Sequence, residues 1–323
     1  MFESINKVNM NKLVINLGIL LFIVNFATIE LNAQCGCPGN TSTFGTIPLS
    51  ELSNVNTFTG DNLFVSLFNS YSFADKNMTR DMPGVGPYKE YNSNFLNLRI
   101  GYKPSAKLLL EAETGYFFRK KLKYTFDDYV ETSSGFSDVT LYGRYTFYKD
   151  PESGWDFSAG TGLKIPLSTG TVSIPQNILP STGAYASILN FVGKKLFPSI
   201  NSGLILSHRT DINFKNKYDY LYGNSFRTSL IFVNNIYENI IIGLEVRNEV
   251  RLKDYDYAKM EELKESGMSS LIVSPIIRYS YGDFVFNMFF DMPAYQYYNG
   301  DNGQLSMKNS FGISLAYSTR VNL

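Results

Sequence analysis

Apolar and polar residues alternate with a period of two along most of this chain, most cleanly between Gly135 and Leu167. Trp155, Phe157, Ala159, Thr161, Leu163 and Ile165 fall on one parity; Asp156, Ser158, Gly160, Gly162 and Lys164 fall on the other. In the arm before them, Val139, Leu141, Tyr145 and Phe147 alternate with Thr140, Tyr142, Arg144 and Thr146, and a KDPESG turn joins the two arms. Successive side chains of a strand point to opposite faces, so this is a hairpin with one greasy and one polar face. Each arm has about ten residues or more, the length at which a tilted strand crosses a bilayer. Apolar outside and polar inside is the pattern of a membrane-spanning barrel.

The same alternation recurs roughly every 20 to 25 residues and predicts twelve strands, near 61–74, 92–103, 107–120, 138–149, 154–166, 182–192, 197–209, 224–235, 239–251, 270–281, 283–296 and 308–320. Short connections (103–106, the KDPESG turn, Gly193-Lys194-Lys195, 237–239, 281–283) alternate with long ones (75–91, 121–136, 167–181, 210–223, 252–269, 297–307). The expected fold is therefore all-β: a membrane-spanning antiparallel up-and-down β-barrel of about twelve strands. Closure removes the strand edges that lipid cannot satisfy, and both chain ends lie with the short turns on the periplasmic side. Ala258 to Glu265 has weak helical character and reads as a short turn of helix in a loop. In the last segment Phe311, Ile313, Leu315, Tyr317, Val321 and Leu323 share one parity. It resembles the C-terminal signal read by the barrel assembly machinery, with Leu323 where Phe is usual.

Composition agrees. Of 323 residues 15% are aromatic and 18% charged, the latter below the roughly 25% of ordinary globular proteins. Net charge is zero, so no global field argues for a nucleic-acid partner. Mean hydropathy is −0.12, and past residue 30 no apolar run reaches the roughly 20 residues of a membrane helix. The N-terminus differs: Lys7 and Lys12 precede the apolar run Leu13 to Ile29, which ends near Ala33. This predicts a secretory signal over 1–33, cleaved after Ala33, then a periplasmic segment or lumen plug over 34–60 and the barrel over 61–323. Cys35 and Cys37 follow at once in CGCPG. They read as a disulfide, idle thiols, a soft-metal contact, a lipidation site or a link to a partner.

If the apolar parity meets lipid, the other lines the interior. It carries Arg99, Glu111, Glu113, Arg119, Arg144, Asp156, Lys164, Arg209, Arg227, Glu245, Arg247, Glu249, Arg251, Arg278, Asp291 and Arg320, with four more basic than acidic residues. Leu109, Phe117, Tyr185, Ile205 and Phe289 add apolar surface there. Two readings stay open for these charges: a wet path that selects a solute, or an ion-pair network filling a narrow barrel. Enzymatic chemistry is not expected. The single His208 rules out centres built on several histidines; it falls on the lipid parity with Thr210 two residues on, and no Ser shares that spacing. No Gly-rich nucleotide motif or Cys–His pattern appears, and no cofactor is expected. Gly160-Thr161-Gly162 reads as a close approach of backbones.

The run from Gly135 through Asp138 to Tyr145, then Ala159-Gly160-Thr161-Gly162-Leu163-Lys164-Ile165-Pro166-Leu167-Ser168-Thr169-Gly170, resembles the outer-membrane barrel family named for the meta-pathway of phenol degradation: a Gly-x-x-Asp strand, then a Gly-rich strand ending in Lys-x-Pro. The resemblance implies a transporter-like barrel, linked in some members to uptake of hydrophobic or aromatic compounds, with no catalytic residues. The expectation is an outer-membrane channel of a Gram-negative bacterium, in contact with outer-membrane lipid, passing small hydrophobic, aromatic or anionic solutes. The alternative is a closed barrel whose surface loops, Tyr-rich around Tyr218, Tyr220 and Tyr222, bind a partner. Solute, openness and oligomeric state stay open.

Overall fold

A computed structural model describes residues 63–78, 88–125, 129–167, 178–264, 266–298 and 304–319. The expectations for the signal segment, Cys35 and Cys37, residues 34–60, Arg320 and Leu323 lie outside the described residues.

The strands are β1 (Leu63–Met78), β2 (Tyr88–Ser105), β3 (Leu108–Tyr124), β4 (Val130–Phe136), β5 (Val139–Asp150), β6 (Trp155–Ile165), β7 (Ala186–Phe197), β8 (Ser202–Asn213), β9 (Tyr220–Leu221), β10 (Ser225–Tyr237), β11 (Ile240–Arg251), β12 (Tyr255–Asp256), β13 (Glu261–Glu262), β14 (Met268–Tyr281), β15 (Phe284–Tyr298) and β16 (Gln304–Thr319). Nearest neighbours in sequence pair antiparallel around one sheet, and β1 pairs with β16 to close it. β4 and β5 both pair with β3 and form one broken stave, so the wall is a closed twelve-strand barrel. The short strands β9, β12 and β13 form a separate three-stranded sheet from two of the long loops.

Alternation gives the wall its two faces. Leu67, Leu98, Leu141, Leu163, Leu189, Phe232, Leu244, Ile277, Phe286, Ile313 and Leu315 are exposed on the outside. Near the short turns Phe147, Phe157 and Phe191 stack with ring centroids 6.3 to 6.4 Å apart, and Trp155 lies 5.4 Å from Phe157. Aromatic rings of this kind anchor a barrel at the membrane interface. The inner parity is rich in serine along β14, β16 and β1, where Ser270, Ser274, Ser280, Ser310, Ser314, Ser318, Ser66 and Ser70 are buried between larger residues such as Phe68 and Ile276.

Inner-face glycines seat aromatic rings. A Cβ on Gly312 would lie 2.0 Å from Phe289, and one on Gly101 2.0 Å from Phe64. Gly160 and Gly162 are likewise filled by Tyr142 from β5, which is the reason for the Gly-Thr-Gly of the hairpin. Each ring lies against the wall instead of projecting across the interior.

Four expectations need correction. The predicted turn at Gly193-Lys194-Lys195 is strand: β7 runs on to Phe197, and the chain turns through Pro198–Ile200 with Asn201 at φ 50°. Asn tolerates that left-handed conformation, whereas Gly193 makes room for the Phe157 ring. Residues 258–264 form a turn and the strand β13, not a helix. Arg119 is exposed, and Lys120 is the buried inner residue. A register shift between Phe117 and Lys120 inserts one residue and flips the parity beyond it. Tyr185 is exposed because β7 starts at Ala186 with its even-numbered residues inward.

Candidate functional site

The polar parity of seven strands converges on a belt of buried charge. Arg247 on β11 lies at its centre, 2.8 Å from Glu249, 3.1 Å from Glu245 and 2.8 Å from Asp291. Glu245 and Glu249 lie two residues either side of Arg247 on the same strand face, and Asp291 comes from β15, two staves away. Ser229 Oγ donates to Glu245 at 2.6 Å and Ser310 Oγ to Asp291 at 3.0 Å. One guanidinium thus holds three carboxylates, each with a fixed geometry.

A second cluster balances it. Arg209 donates to both oxygens of Asp211 at 2.6 and 3.2 Å, and Arg227 reaches Asp211 at 3.2 Å. Arg99 donates twice to Glu113, at 3.2 and 2.8 Å. Arg209 on β8 also lies 4.0 Å from Glu113 on β3. Three staves, β4/β5, β6 and β7, stand between those strands, so this contact crosses the interior, and the barrel is narrow at its ionic belt.

The two charged residues of the hairpin signature meet. Asp138 sits at the break between β4 and β5, and Lys164 of β6 lies 3.8 Å from it and donates to Asn213 at 3.2 Å. Asp138 also accepts from Ser181 Oγ, from Thr182 N at 3.2 Å and from Thr182 Oγ1 at 2.8 Å. The buried Lys120 donates to Leu179 O at 2.8 Å, Ser133 to Ile178 O, and Asn216 to Thr182 O at 3.3 Å. These contacts strap residues 178–184 of the β6–β7 connection across the long-loop end. Ile178 is fully buried there against Ala74, Tyr91, Leu122 and Leu305 from β1, β2, β3 and β16.

A second apolar layer lies deeper. Phe68, Phe95, Phe117, Val192, Ile205, Ile231, Val233, Ile241, Ile276 and Phe289 form one contiguous cluster. On β8, β10, β11 and β15 its members are nearer the short turns than the ion pairs are.

Of the other expected residues, Glu111 and Arg144 are buried on the inner face, Lys194 pairs with Asp156 at 3.7 Å, and Arg251 reaches out to Asp254 in the following loop at 3.5 Å. Arg278 stands apart from all of these groups. The strand expected over 197–209 leaves Asp211 in a connection, whereas β8 runs on to Asn213; Asp211 has the parity of Arg209, and that is its signal in the sequence. Lys120 was hidden by the bulge, and Asp138 was noted only as part of a motif.

His208 is half-buried on the outer face, with Thr228 Oγ1 at 2.9 Å and Thr210 Oγ1 at 3.1 Å. No serine joins it, and no group of three or more metal-ligating side chains occurs among the described residues. In the loop sheet, Asp254 accepts from Tyr220 Oη at 2.6 Å and from Gly223 N at 2.7 Å. Burial, then the neighbouring Asp254 carboxylate, pushes the Tyr220 phenol far above its ordinary range.

Fold and wall chemistry together define a barrel of the outer-membrane type. An outer-membrane channel from Pseudomonas putida F1 superimposes with a TM-score of 0.68 at 11% identity, over 82% of this chain and 98% of that one. The beta domain of the Bordetella autotransporter BrkA superimposes with a TM-score of 0.50 at 10% identity, over 80% and 100%. At such identities the likeness is one of fold. No protein-family model and no curated protein sequence matches the chain.

Proposed function

We propose that this protein is a passive outer-membrane channel for small molecules in a Gram-negative bacterium, exported by a signal segment that is then removed. The observation that carries the reading is the wall itself: a closed barrel, apolar outside, with a belt of paired charges and serines inside. The charges Arg99, Glu111, Glu113, Arg144, Lys164, Arg227, Glu245, Arg247, Glu249, Arg251, Arg278 and Asp291 set selectivity in this reading. The likeness to a protein described as an outer-membrane channel supports it, as does the hairpin's resemblance to the phenol-degradation barrel family. Solutes are small, and either anionic or hydrophobic. The protein is not an enzyme in this reading: the carboxylates that accept from Ser229 and Ser310 are both held by Arg247 and serve the belt.

The buried apolar cluster and the strap at 178–184 favour a second reading, a packed barrel whose loop sheet binds a partner. Recording from the refolded protein in planar bilayers separates the two. Discrete conductance steps are expected; a barrel silent at every voltage, yet heat-modifiable on gels, would leave the packed barrel standing.

A further inference from the structure

Among the described residues Arg278 is the exception in an interior where charges otherwise have partners. It lies on the inner face of β14, three residues before the strand ends at Tyr281, and is 2% exposed. Nε, Nη1 and Nη2 all lack a hydrogen-bond partner. Ile276, one step deeper on the same face, belongs to the apolar cluster and separates Arg278 from the carboxylates of the belt. Across the strand pair Arg278 faces Asn287 of β15, and on its other side Ile241 of β11. Asn287 donates Nδ2 to Ser314 at 2.9 Å and leaves its buried Oδ1 unpaired.

An uncompensated buried guanidinium is a costly group to keep. Its planar fork of donors matches a carboxylate, which it binds bidentately. With one unpaired cation, a single negative charge balances the site and a phosphate dianion does not. The Asn287 amide, turned about its axis, accepts from Ser314 and directs Nδ2 to the same anion. The neighbours on the deeper side are apolar: Ile241, Ile276 and Phe289, whose ring lies over Gly312.

We propose that Arg278 and Asn287 form a binding site for a small monocarboxylate with an aryl or alkyl body. The carboxylate lies on the guanidinium and the body against Phe289, Ile276 and Ile241. Arg278 lies on the short-turn side of the ionic belt, and the proposal has the ligand approach from that end. The proposal rests on the channel reading for the route by which the ligand arrives.

The test uses the full mature chain refolded in detergent, with 4-fluorobenzoate as probe and fluorine NMR as readout. Wild type should broaden the probe signal saturably, and hexanoate should compete far better than acetate. Arg278→Met should weaken binding by about tenfold or more, the loss expected for a charge-assisted bidentate contact. Asn287→Asp, nearly isosteric, supplies the guanidinium with a carboxylate from the chain and should abolish binding in the same way. Unchanged probe binding in either folded variant overturns the site, and equal competition by acetate overturns its apolar half. In bilayers, benzoate should block wild type and not Arg278→Met. Conductance that benzoate leaves untouched in wild type sinks the site and spares the channel, whereas a silent barrel sinks the channel while the NMR result still decides the site.

Discussion

Replacing Arg247 by Met removes one cation from three carboxylates. Arg247 is 2% exposed and Asp291 is 0% exposed, so neither partner is screened as a surface ion would be. Met fills much of the space but leaves Glu245 and Asp291 without the cation that joins them, while Glu249 keeps only its cross-strand neighbour Arg227. Breaking a buried pair in this way costs roughly 3–5 kcal/mol, a large part of the 5–15 kcal/mol that ordinary domains have. The hydrogen bonds from Ser229 and Ser310 remain and offset a small share. The assay is denaturant unfolding of the refolded barrel, followed by fluorescence of Trp155, the only tryptophan. The midpoint should fall while the folded signal persists at low denaturant. Arg247→Met with Asp291→Leu should be more stable than Arg247→Met alone, because the most buried orphan is gone. A loss below about 1 kcal/mol, the value of an exposed pair, would refute the reasoning, since the belt would then be as well solvated as a protein surface.

Asp138→Ala should free residues 178–184 and raise single-channel conductance several-fold with the barrel still heat-modifiable; unchanged conductance and unchanged proteolysis near 178–184 would mean the strap does not limit passage. Gly312→Val should destabilise by about 1–3 kcal/mol through overpacking against Phe289, and Phe289→Leu added to it should restore most of the loss. The raised phenol of Tyr220 favours its protonated form in the folded loop. Its contribution to stability is therefore complete below the unfolded value near 10 and lost as pH rises above it. Alkaline titration should loosen the loop sheet of the wild type, and Tyr220→Phe should flatten that dependence; parallel profiles would refute the link to Asp254.

Period-two alternation was enough to place the hairpin, the strand count and the alternation of short and long connections, because burial of one face is dictated residue by residue. Arg119 and Lys120 mark where that logic ends. One inserted residue at a bulge flips every later side chain, and nothing local in Phe-Phe-Arg-Lys announces it. Asp211 was lost to a boundary, not to a wrong pattern. Asp138 was conspicuous in its motif, yet its role depends on Ser181 and Thr182, more than forty residues on. Arg278 carried the same weight as Arg247 in the alternation. Only the arrangement in space separates the arginine with three partners from the one with none.

The seam between β1 and β16 pairs Leu63 with Thr319 and continues to Met78 with Gln304. Its partners are separated by almost the whole barrel sequence, so it is the contact with the greatest loop entropy to overcome. No part of it can form until the last strand has been synthesised. Until then the growing sheet has two open edges, each a row of unpaired amides and carbonyls ready to join any other strand. Assembly of this wall is therefore set by its final sixteen residues of strand: they join β1 and close an aggregation-prone ribbon into a cylinder.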